Sequence, residues 1–291
     1  MLYSAEMRLR VTRSPGPDGV NGYHLLSFFL RLIEGVHPGL AEWLHRDSAV
    51  KPFTLSPLLP SPGRRQLAVL SVGDDLSFRI TLLDEKVFAA LADSVWRLSP
   101  EAELILGDTR VQCRGLATTP AESPWAGYAT FSQFLKNAGT DTRLRLEFLS
   151  PATFRSSSKG ERNILFPEPS LVFGSLLNRW NAFAGASHKL DLSDISAGAV
   201  RVSMYRLGTR LLDFGSYREL GFIGQATYEC NNSLPVEAIR TLNALADFAF
   251  YAGVGAKTTM GMGQCRRSEN ARTVSHRTGG DPEKRRRPSR H

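Results

Sequence analysis

The two halves of this chain repeat one order of secondary structure, and the repeat restricts the fold more than any other feature. In the first half, apolar residues alternate over residues 3–11, as in a half-buried strand, and an apolar face with helical spacing follows over residues 23–33. Later elements complete the order strand, helix, strand, strand, helix, strand. They are strands at residues 53–59, 67–72 and 77–83, a helix that Asp84 caps and that runs to residue 98, and strands at residues 104–106 and 111–116.

The second half follows the same order after a connector, residues 118–139, that is rich in Pro, Thr, Ser and Gly. Its elements are a strand at residues 144–148, a helix at 170–183, strands at 200–212 and 219–229, a helix that opens at Pro235 and ends at residue 251, and a short final strand. We therefore predict an α+β protein of two tandem ferredoxin-like (RRM-like, βαββαβ) domains, at residues 1–120 and 141–267, joined by a linker at 121–140.

Positive charge is concentrated at the C-terminus. From residue 266 to residue 291 there are nine Lys or Arg and three Asp or Glu, so most of the net charge of +8 lies there. Residues 268–291 contain almost no apolar side chains, and we expect them to form a disordered basic tail. Such a tail either adds nonspecific affinity for a polyanion or is solvated without a specific role.

Composition excludes several classes of protein. No apolar run approaches the roughly 18 residues that a membrane span needs, and the N-terminus lacks the pattern of a signal peptide. The three cysteines, Cys113, Cys230 and Cys265, are odd in number and far apart, which argues against a disulfide framework and against a zinc knuckle. We expect a cytoplasmic protein with no membrane partner, no metal and no cofactor.

A glycine-rich loop at residues 252–265 follows the last predicted helix and surrounds a Lys-Thr-Thr core. Glycine reaches positive φ without penalty and leaves backbone N–H groups accessible, so such a loop can wrap around phosphate oxygens. The alternative is a helix C-cap at Gly253 that turns into a final strand. The residues that we expect to contact a phosphate-bearing partner are Gly253, Gly255, Lys257, Thr258, Thr259, Gly261 and Gly263.

Two common phosphate-binding motifs do not fit this loop. A Walker motif places glycine directly before the lysine, but here Ala256 precedes Lys257. A dinucleotide fingerprint needs a strand before the glycines and a helix after them, and no strand precedes Gly253 and no helical pattern follows Gly263. The loop is therefore not a nucleotide cradle of either kind.

Three separated segments resemble one family in their order and spacing. They are residues 45–56 (His-Arg-Asp-Ser-Ala-Val-Lys-Pro-Phe-Thr-Leu-Ser), the second-domain segments at 149–155, 165–169 and 176–181, and the glycine-rich loop. On these residues the chain resembles the CRISPR repeat-RNA endoribonucleases, the sixth family of Cas proteins within the RAMP superfamily. It departs from the family at Met262, where an aromatic residue is more usual and could stack on a base.

The resemblance implies cleavage of CRISPR precursor RNA within its repeats, without a metal, to give guide crRNAs. The ribose 2′-OH would attack the scissile phosphate and leave a 2′,3′-cyclic phosphate (or a 3′-phosphate) and a 5′-OH. This reaction needs a base near the 2′-OH, an acid near the leaving oxygen and a cation against the phosphorane charge. The implied partner is CRISPR repeat RNA, with other Cas effector subunits and a homodimer left open.

The resemblance assigns the catalytic histidine to His45, which closes a short predicted helix and precedes Lys51. We expect His45 to act as general acid or base and Lys51 to stabilise the phosphorane, with Tyr23 or its neighbour His24 as the third residue. The alternative is that His45 is a helix-terminal histidine favoured by the dipole and that Tyr23 is a core residue. The other histidines, which lie in loops, at a helix end or in the tail, are His37, His188, His276 and His291.

Further phosphate contacts are expected from Arg155 and Arg179, with Lys159 and Arg162 in a polar loop between them. Arg155, Arg179 and Lys257 could each instead be a solvated surface cation. One rival function is a non-catalytic RNA-binding scaffold of the same superfamily in a CRISPR effector complex, which would keep the glycine-rich loop and lose the histidine. A more distant rival is a metabolic enzyme that binds a small phosphate and is built from ferredoxin-like domains.

Overall fold

The computed structural model describes residues 1–14, 19–46, 50–59, 70–155, 163–193, 195–196 and 198–268. Its first half forms an antiparallel sheet with the strand order β2-β3-β1-β5-β4, in which β2-β3-β1-β5 is the order of a ferredoxin-like unit. The elements are β1 (Leu2–Arg13), α1 (Gly22–Glu34), α2 (Pro38–His45), β2 (Phe53–Leu59), β3 (Asp75–Leu82), α3 (Glu85–Trp96), β4 (Glu103–Leu106) and β5 (Thr109–Ala117).

The connector contains regular structure that its composition did not predict. It forms β6 (Gly127–Ala129), which pairs with β1, and α4 (Phe131–Asn137). The ring of Phe131 packs edge-on against Trp180, with the centroids 4.8 Å apart. Aromatic residues bury a large apolar area, so this contact fastens the connector to the core of the second half.

The second half forms a separate four-stranded antiparallel sheet with the strand order β10-β7-β9-β8, again the ferredoxin-like order. The elements are β7 (Arg143–Ala152), α5 (Pro169–Phe183), β8 (Val200–Asp213), β9 (Arg218–Cys230), α6 (Val236–Ala252) and β10 (Cys265–Arg267). Two tandem ferredoxin-like units of α+β class are therefore confirmed.

Local chemistry explains where several helices begin and end. Asp84 caps α3 as predicted, because its carboxylate accepts the backbone N–H of Lys86 at 2.8 Å. Pro235 precedes α6, and Gly253 ends it at φ +63°, with its N–H on the carbonyl of Ala249 at 3.0 Å. Gly253 thus caps α6, as one of the two interpretations of the loop predicts. None of the helices in the described ranges is long and apolar enough to span a membrane.

One predicted strand is wrong over the part that the structure describes. Residues 70–72, the end of the strand expected at 67–72, lead into a turn instead. The Asp74 carboxylate accepts the N–H of Ser71 at 2.9 Å, and this local hydrogen bond competes with strand pairing. Residues 67–69, Lys159, Arg162 and residues 269–291 of the expected tail lie outside the described residues.

A buried arginine joins the two halves. Arg79 on β3 donates from Nε to Ser4 Oγ at 2.7 Å and from Nη1 to Gln264 Oε1 at 3.0 Å. The Gln264 amide nitrogen donates in turn to Thr54 Oγ1 and to the Leu55 carbonyl on β2, both at 3.1 Å. Burial lowers the pKa of Arg79 to about 9. Because buried polar groups are costly without partners, this network fixes the end of the glycine-rich loop against β2.

Candidate nucleic-acid interface

The glycine segment, residues 253–264, is a closed and hydrogen-bonded loop. It contains a one-turn 3₁₀ helix, Thr258–Met260, between its two arms. The N–H of Val254 donates to the carbonyl of Gly263 at 2.8 Å and joins the two arms. This hydrogen bond closes the loop at its base, so the chain has to reverse its direction within the few residues between Val254 and Gly263.

The glycine segment is also tied to both neighbouring elements of the second half. The N–H of Ala256 donates to the Thr153 carbonyl, just beyond β7, at 2.9 Å. The N–H of Gly255 donates to Ser175 Oγ on α5 at 3.0 Å. The loop therefore lies in a fixed position between the end of β7 and the side of α5.

The four predicted glycines are required by backbone geometry. Gly253, Gly255, Gly261 and Gly263 have φ values of +63°, +74°, +93° and +70°, in the region that favours glycine. A Cβ atom at Gly263 would overlap the carbonyl oxygen of Val254. The amides of Gly253, Gly255 and Gly263 donate to protein acceptors, so in this structure these amides serve the fold. Their contact with RNA stays a prediction.

Arg179 on α5 donates hydrogen bonds to the glycine segment. Its Nη2 donates to Thr258 Oγ1 at 2.8 Å and to the carbonyl of Gly255 at 3.2 Å. Its Nη1 is buried and has no hydrogen-bond partner among the described residues. Burial lowers the pKa of Arg179 to about 10. The side chain is thus fixed against the loop, and one of its buried donors lacks a partner among the described residues.

Lys257 is the single non-glycine residue of the described ranges with positive φ, at +56°. Its ammonium pairs with the Glu219 carboxylate on β9 and lies 4.0 Å from the centroid of the Tyr217 ring. Burial by itself would lower the pKa of Lys257, but the hydrogen bonds to Glu219 and Tyr217 outweigh burial and raise it. The predicted phosphate contact therefore already has an anionic partner.

Tyr23 lies beside this lysine cluster, at the start of α1. Its ring packs edge-on against those of Phe214 and Tyr217, with centroid distances of 6.0 and 6.1 Å. A hydrogen bond with Tyr217 is the main cause that raises the pKa of Tyr23. The backbone of Gly22 packs against the Met260 carbonyl, with no room for a Cβ. The first turn of α1 thus touches the glycine segment, and Tyr23 is partly exposed there rather than in the core.

His24 and His37 both serve local structure. The Nδ1 of His24 accepts the N–H of Asn21 at 3.3 Å and completes the capping box of α1. His37 precedes α2, and its Nε2 lies 2.9 Å from the Asp93 carboxylate on α3. These contacts favour Tyr23 over His24 as the third candidate of the site.

His45 and Lys51 come together at the C-terminal end of α2. His45 is the last residue of that helix, and its exposed side chain forms no hydrogen bond within the described ranges. The Lys51 ammonium donates to the Leu44 carbonyl at 2.8 Å and to the Arg46 carbonyl. Helix ends leave carbonyls without intrahelical partners, and a cation is favoured there. Lys51 therefore lies beside His45, because the Lys51 ammonium caps the C-terminal end of α2 and His45 is the last residue of that helix.

A cavity of about 770 Å³ lies between the two halves and collects most of the predicted binding residues. Lys51 reaches it from the first half, while Arg155, Arg179 and Lys257 line it from the second. Neither Asp nor Glu is among its described lining residues. Gly255, Thr258 and Thr259 also line it, whereas His45 and Tyr23 do not.

Three groups of the site were not predicted from the sequence. They are Ser175, which accepts the Gly255 amide, and Glu219 and Tyr217, which hold the Lys257 ammonium. Ser175 lies inside a predicted helix and Glu219 at the start of a predicted strand, so neither carried a local signal. Within the described part of the chain, no three His, Cys, Asp or Glu side chains are grouped so that they could hold a metal ion.

Two family models match this chain, one in each half. The model for the CRISPR Cas6 N-terminal domain matches residues 1–136, and the model for the CRISPR-associated endoribonuclease Cas6 matches residues 146–265. The boundary between the two matches falls at the connector that precedes β7.

Individual relatives agree with these matches. A CRISPR-associated endoribonuclease Cas6 from Mycobacterium tuberculosis is 31% identical over 163 residues, 54% of this chain and 47% of that protein, so the match spans about half the length of the curated relative. A solved Cas6 product complex has a TM-score of 0.78 and 29% identity, over 92% of this chain and 100% of the other. Cas6 of Thermus thermophilus has a TM-score of 0.68 and 26% identity, over 92% and 98%.

Proposed function

Because this chain belongs to the Cas6 family of CRISPR-associated proteins, we propose that it is an endoribonuclease that cleaves CRISPR precursor RNA within the repeats to give guide crRNAs. The proposed reaction needs no metal: the ribose 2′-OH attacks the adjacent phosphate, and the products carry a 2′,3′-cyclic phosphate (or 3′-phosphate) and a 5′-OH. We assign cleavage to the domain at residues 1–120 and RNA anchoring to the domain at 141–267. The function implies a cytoplasmic location, where the transcripts are made.

The observation that carries this proposal is the cavity between the two halves. Four basic side chains line it, of which Lys257 is paired with Glu219, and its described lining contains no carboxylate. RNA has one negative charge for each phosphate, so a concave basic surface attracts its backbone more than it attracts a neutral ligand. Arg179 lines the cavity, is held by two hydrogen bonds and has a buried Nη1 without a partner among the described residues. We propose that this Nη1 donates to a phosphate oxygen once RNA binding displaces the atoms that cover it.

Catalysis is assigned to the end of α2. His45 is exposed there and can approach the ribose or the leaving oxygen, and an imidazole suits both proton steps. Lys51 is fixed by helix-end carbonyls and also lines the cavity, so its charge can stabilise a phosphorane formed there. Tyr23, at the first turn of α1 next to the glycine segment, is proposed to orient the reacting groups by hydrogen bonding.

A 2′-deoxy substrate tests the reaction directly. We would incubate the protein in EDTA with labelled repeat RNA and with the same RNA carrying one 2′-deoxyribose at the cut site. We expect cleavage of the first RNA and none of the second, because the deoxy sugar lacks the nucleophile. Cleavage of the deoxy substrate, or a strict requirement for Mg²⁺, would contradict the mechanism.

The same assay separates the nuclease from an RNA-binding scaffold. A scaffold would bind both RNAs and cut neither, whereas the nuclease binds both and cuts only the RNA without the 2′-deoxyribose. Analysis of the product ends then completes the test, since 2′-OH attack yields a 5′-OH that a kinase can label without prior phosphatase treatment. A product that already carries a 5′-phosphate would exclude this route.

A further inference from the structure

The ion pair of Lys257 and Glu219 is well shielded from solvent. The two side chains are 17% and 12% exposed, and the ammonium faces the Tyr217 ring. Lys257 keeps this contact at a left-handed φ that residues with a side chain rarely adopt. A glycine would suit the backbone better, so the side chain itself accounts for lysine at this position.

The pair joins three parts of the molecule. Lys257 belongs to the glycine segment, while Glu219 is the second residue of β9, beside the turn between β8 and β9. Phe214 and Tyr217 in that turn form a stacked pair at 5.2 Å, and Tyr23 of the first half packs edge-on against both rings. A continuous set of contacts therefore runs from Lys257 through Tyr217 to Tyr23.

Direct phosphate binding by Lys257 would disturb this arrangement. To pair with a phosphate, the ammonium would have to leave or share Glu219. A shielded carboxylate without its partner, close to a polyanion, is strongly unfavourable. Arg155 and Arg179 line the same cavity, and neither is paired with a carboxylate among the described residues.

We propose that Lys257 and Glu219 form a positioning pair, which holds the β8–β9 turn, and through Tyr217 the side chain of Tyr23, beside the cavity. In this account Lys257 acts through Tyr23 and does not bind an RNA phosphate. The inference rests on the proposed function, because Tyr23 is a candidate residue of that reaction.

The test compares Glu219→Gln, Lys257→Met and the double variant with the wild type in single-turnover cleavage of repeat RNA. We expect each single variant to cleave about tenfold more slowly than the wild type, because a small displacement of Tyr23 near the reacting groups is costly. The double variant should be no slower than either single variant, because both changes release the same side chain. In a Tyr23→Phe background the same changes should have no further effect. Glu229→Gln on β9, which removes an exposed pair with Arg201, is the matched control and should leave the rate unchanged.

RNA affinity at several salt concentrations separates positioning from phosphate contact. A positioning pair leaves the dependence of log Kd on log salt as in the wild type. A direct contact predicts a slope smaller by about one for Lys257→Met, and tighter binding for Glu219→Gln. Either of those two results would overturn the proposal.

An unfolding experiment without RNA keeps the pair testable by itself. In a urea double-mutant cycle, we expect Glu219→Gln and Lys257→Met to be non-additive. Additive losses would mean that the two residues are not coupled and would overturn the inference. If the wild type failed to cleave RNA, the proposed function would fall, while this cycle would still decide whether the pair exists.

Discussion

In the glycine segment the backbone is largely buried and hydrogen-bonded, whereas at the end of α2 the side chain of His45 faces solvent. Gly253, Gly261 and Gly263 are buried, and the segment's amides donate to acceptors from α6, β7 and α5. His45 is exposed, and the Lys51 ammonium donates to the backbone carbonyls of Leu44 and Arg46. The first region is specified by close packing and the second by the chemistry of a few side chains.

The difference explains why the two regions differ as sequence signals. Close backbone packing demands glycine at several positions, so it leaves a motif that is easy to see. A general acid or base needs only one accessible side chain on a rigid support, which leaves almost no pattern. The conspicuous motif therefore marks the scaffold of the site, and the proposed reaction belongs to the less conspicuous residues.

The largest expected effect on stability is that of Gly263→Ala. The new Cβ would overlap the Val254 carbonyl at φ +70°, so we expect a loss of about 3 kcal/mol or more in the free energy of unfolding, with loss of RNA binding. Gly174→Ala is the matched control, because no heavy atom outside the backbone of α5 and the adjoining residues lies within 4 Å of its Cβ position. It should gain about 0.5–1 kcal/mol in urea unfolding. Equal effects of the two changes would refute a packing role for Gly263.

A smaller loss is expected from Gln264→Ala at the junction of the two halves. Gln264 is 4% exposed, and its removal leaves Arg79, Thr54 and the Leu55 carbonyl each short of a partner. We expect about 2 kcal/mol less stability in chemical denaturation. Gln112→Ala on β5, where the side chain forms no hydrogen bond within the described residues, should change stability by less than about 0.5 kcal/mol. A Gln264→Ala protein as stable as this control would disprove the proposed linkage.

The smallest effect on stability is expected from Arg155→Ala, which should act on RNA instead. Arg155 is exposed and lines the cavity, so we expect an unchanged unfolding curve. Affinity for repeat RNA should fall, and the slope of log Kd against log salt should decrease by about one, because one phosphate contact is lost. Arg97→Ala, at the exposed C-cap of α3, should leave that slope unchanged. An unchanged slope for Arg155→Ala would remove this residue from the interface.

Much of the fold follows from short-range patterns. Hydrophobic alternation over residues 3–11 locates β1 at Leu2–Arg13, and turn chemistry locates the cap at Asp84 and the end of α6 at Gly253. These features depend on neighbours within a few residues. The strand predicted at 67–72 is wrong at its end because the Asp74 side chain supplies an equally local alternative.

The contacts that define the site depend on tertiary structure instead. Ser175 meets Gly255, and Glu219 meets Lys257, across 80 and 38 residues of sequence. The role of a basic side chain depends on which groups surround it in the folded protein. The sequence does not show those groups, so it predicts a phosphate contact equally for Arg155, Arg179 and Lys257. The structure distinguishes an exposed residue, a residue held under the loop and an ion-paired residue.

The central claim is that the end of α2 performs cleavage while the second half anchors RNA. Single-turnover cleavage and RNA affinity of His45→Ala, measured beside the wild type on the same repeat RNA, test it most directly. Loss of a positioned acid or base should slow cleavage by roughly 10²–10⁴-fold, with the dissociation constant for RNA unchanged. Undiminished cutting would contradict the claim.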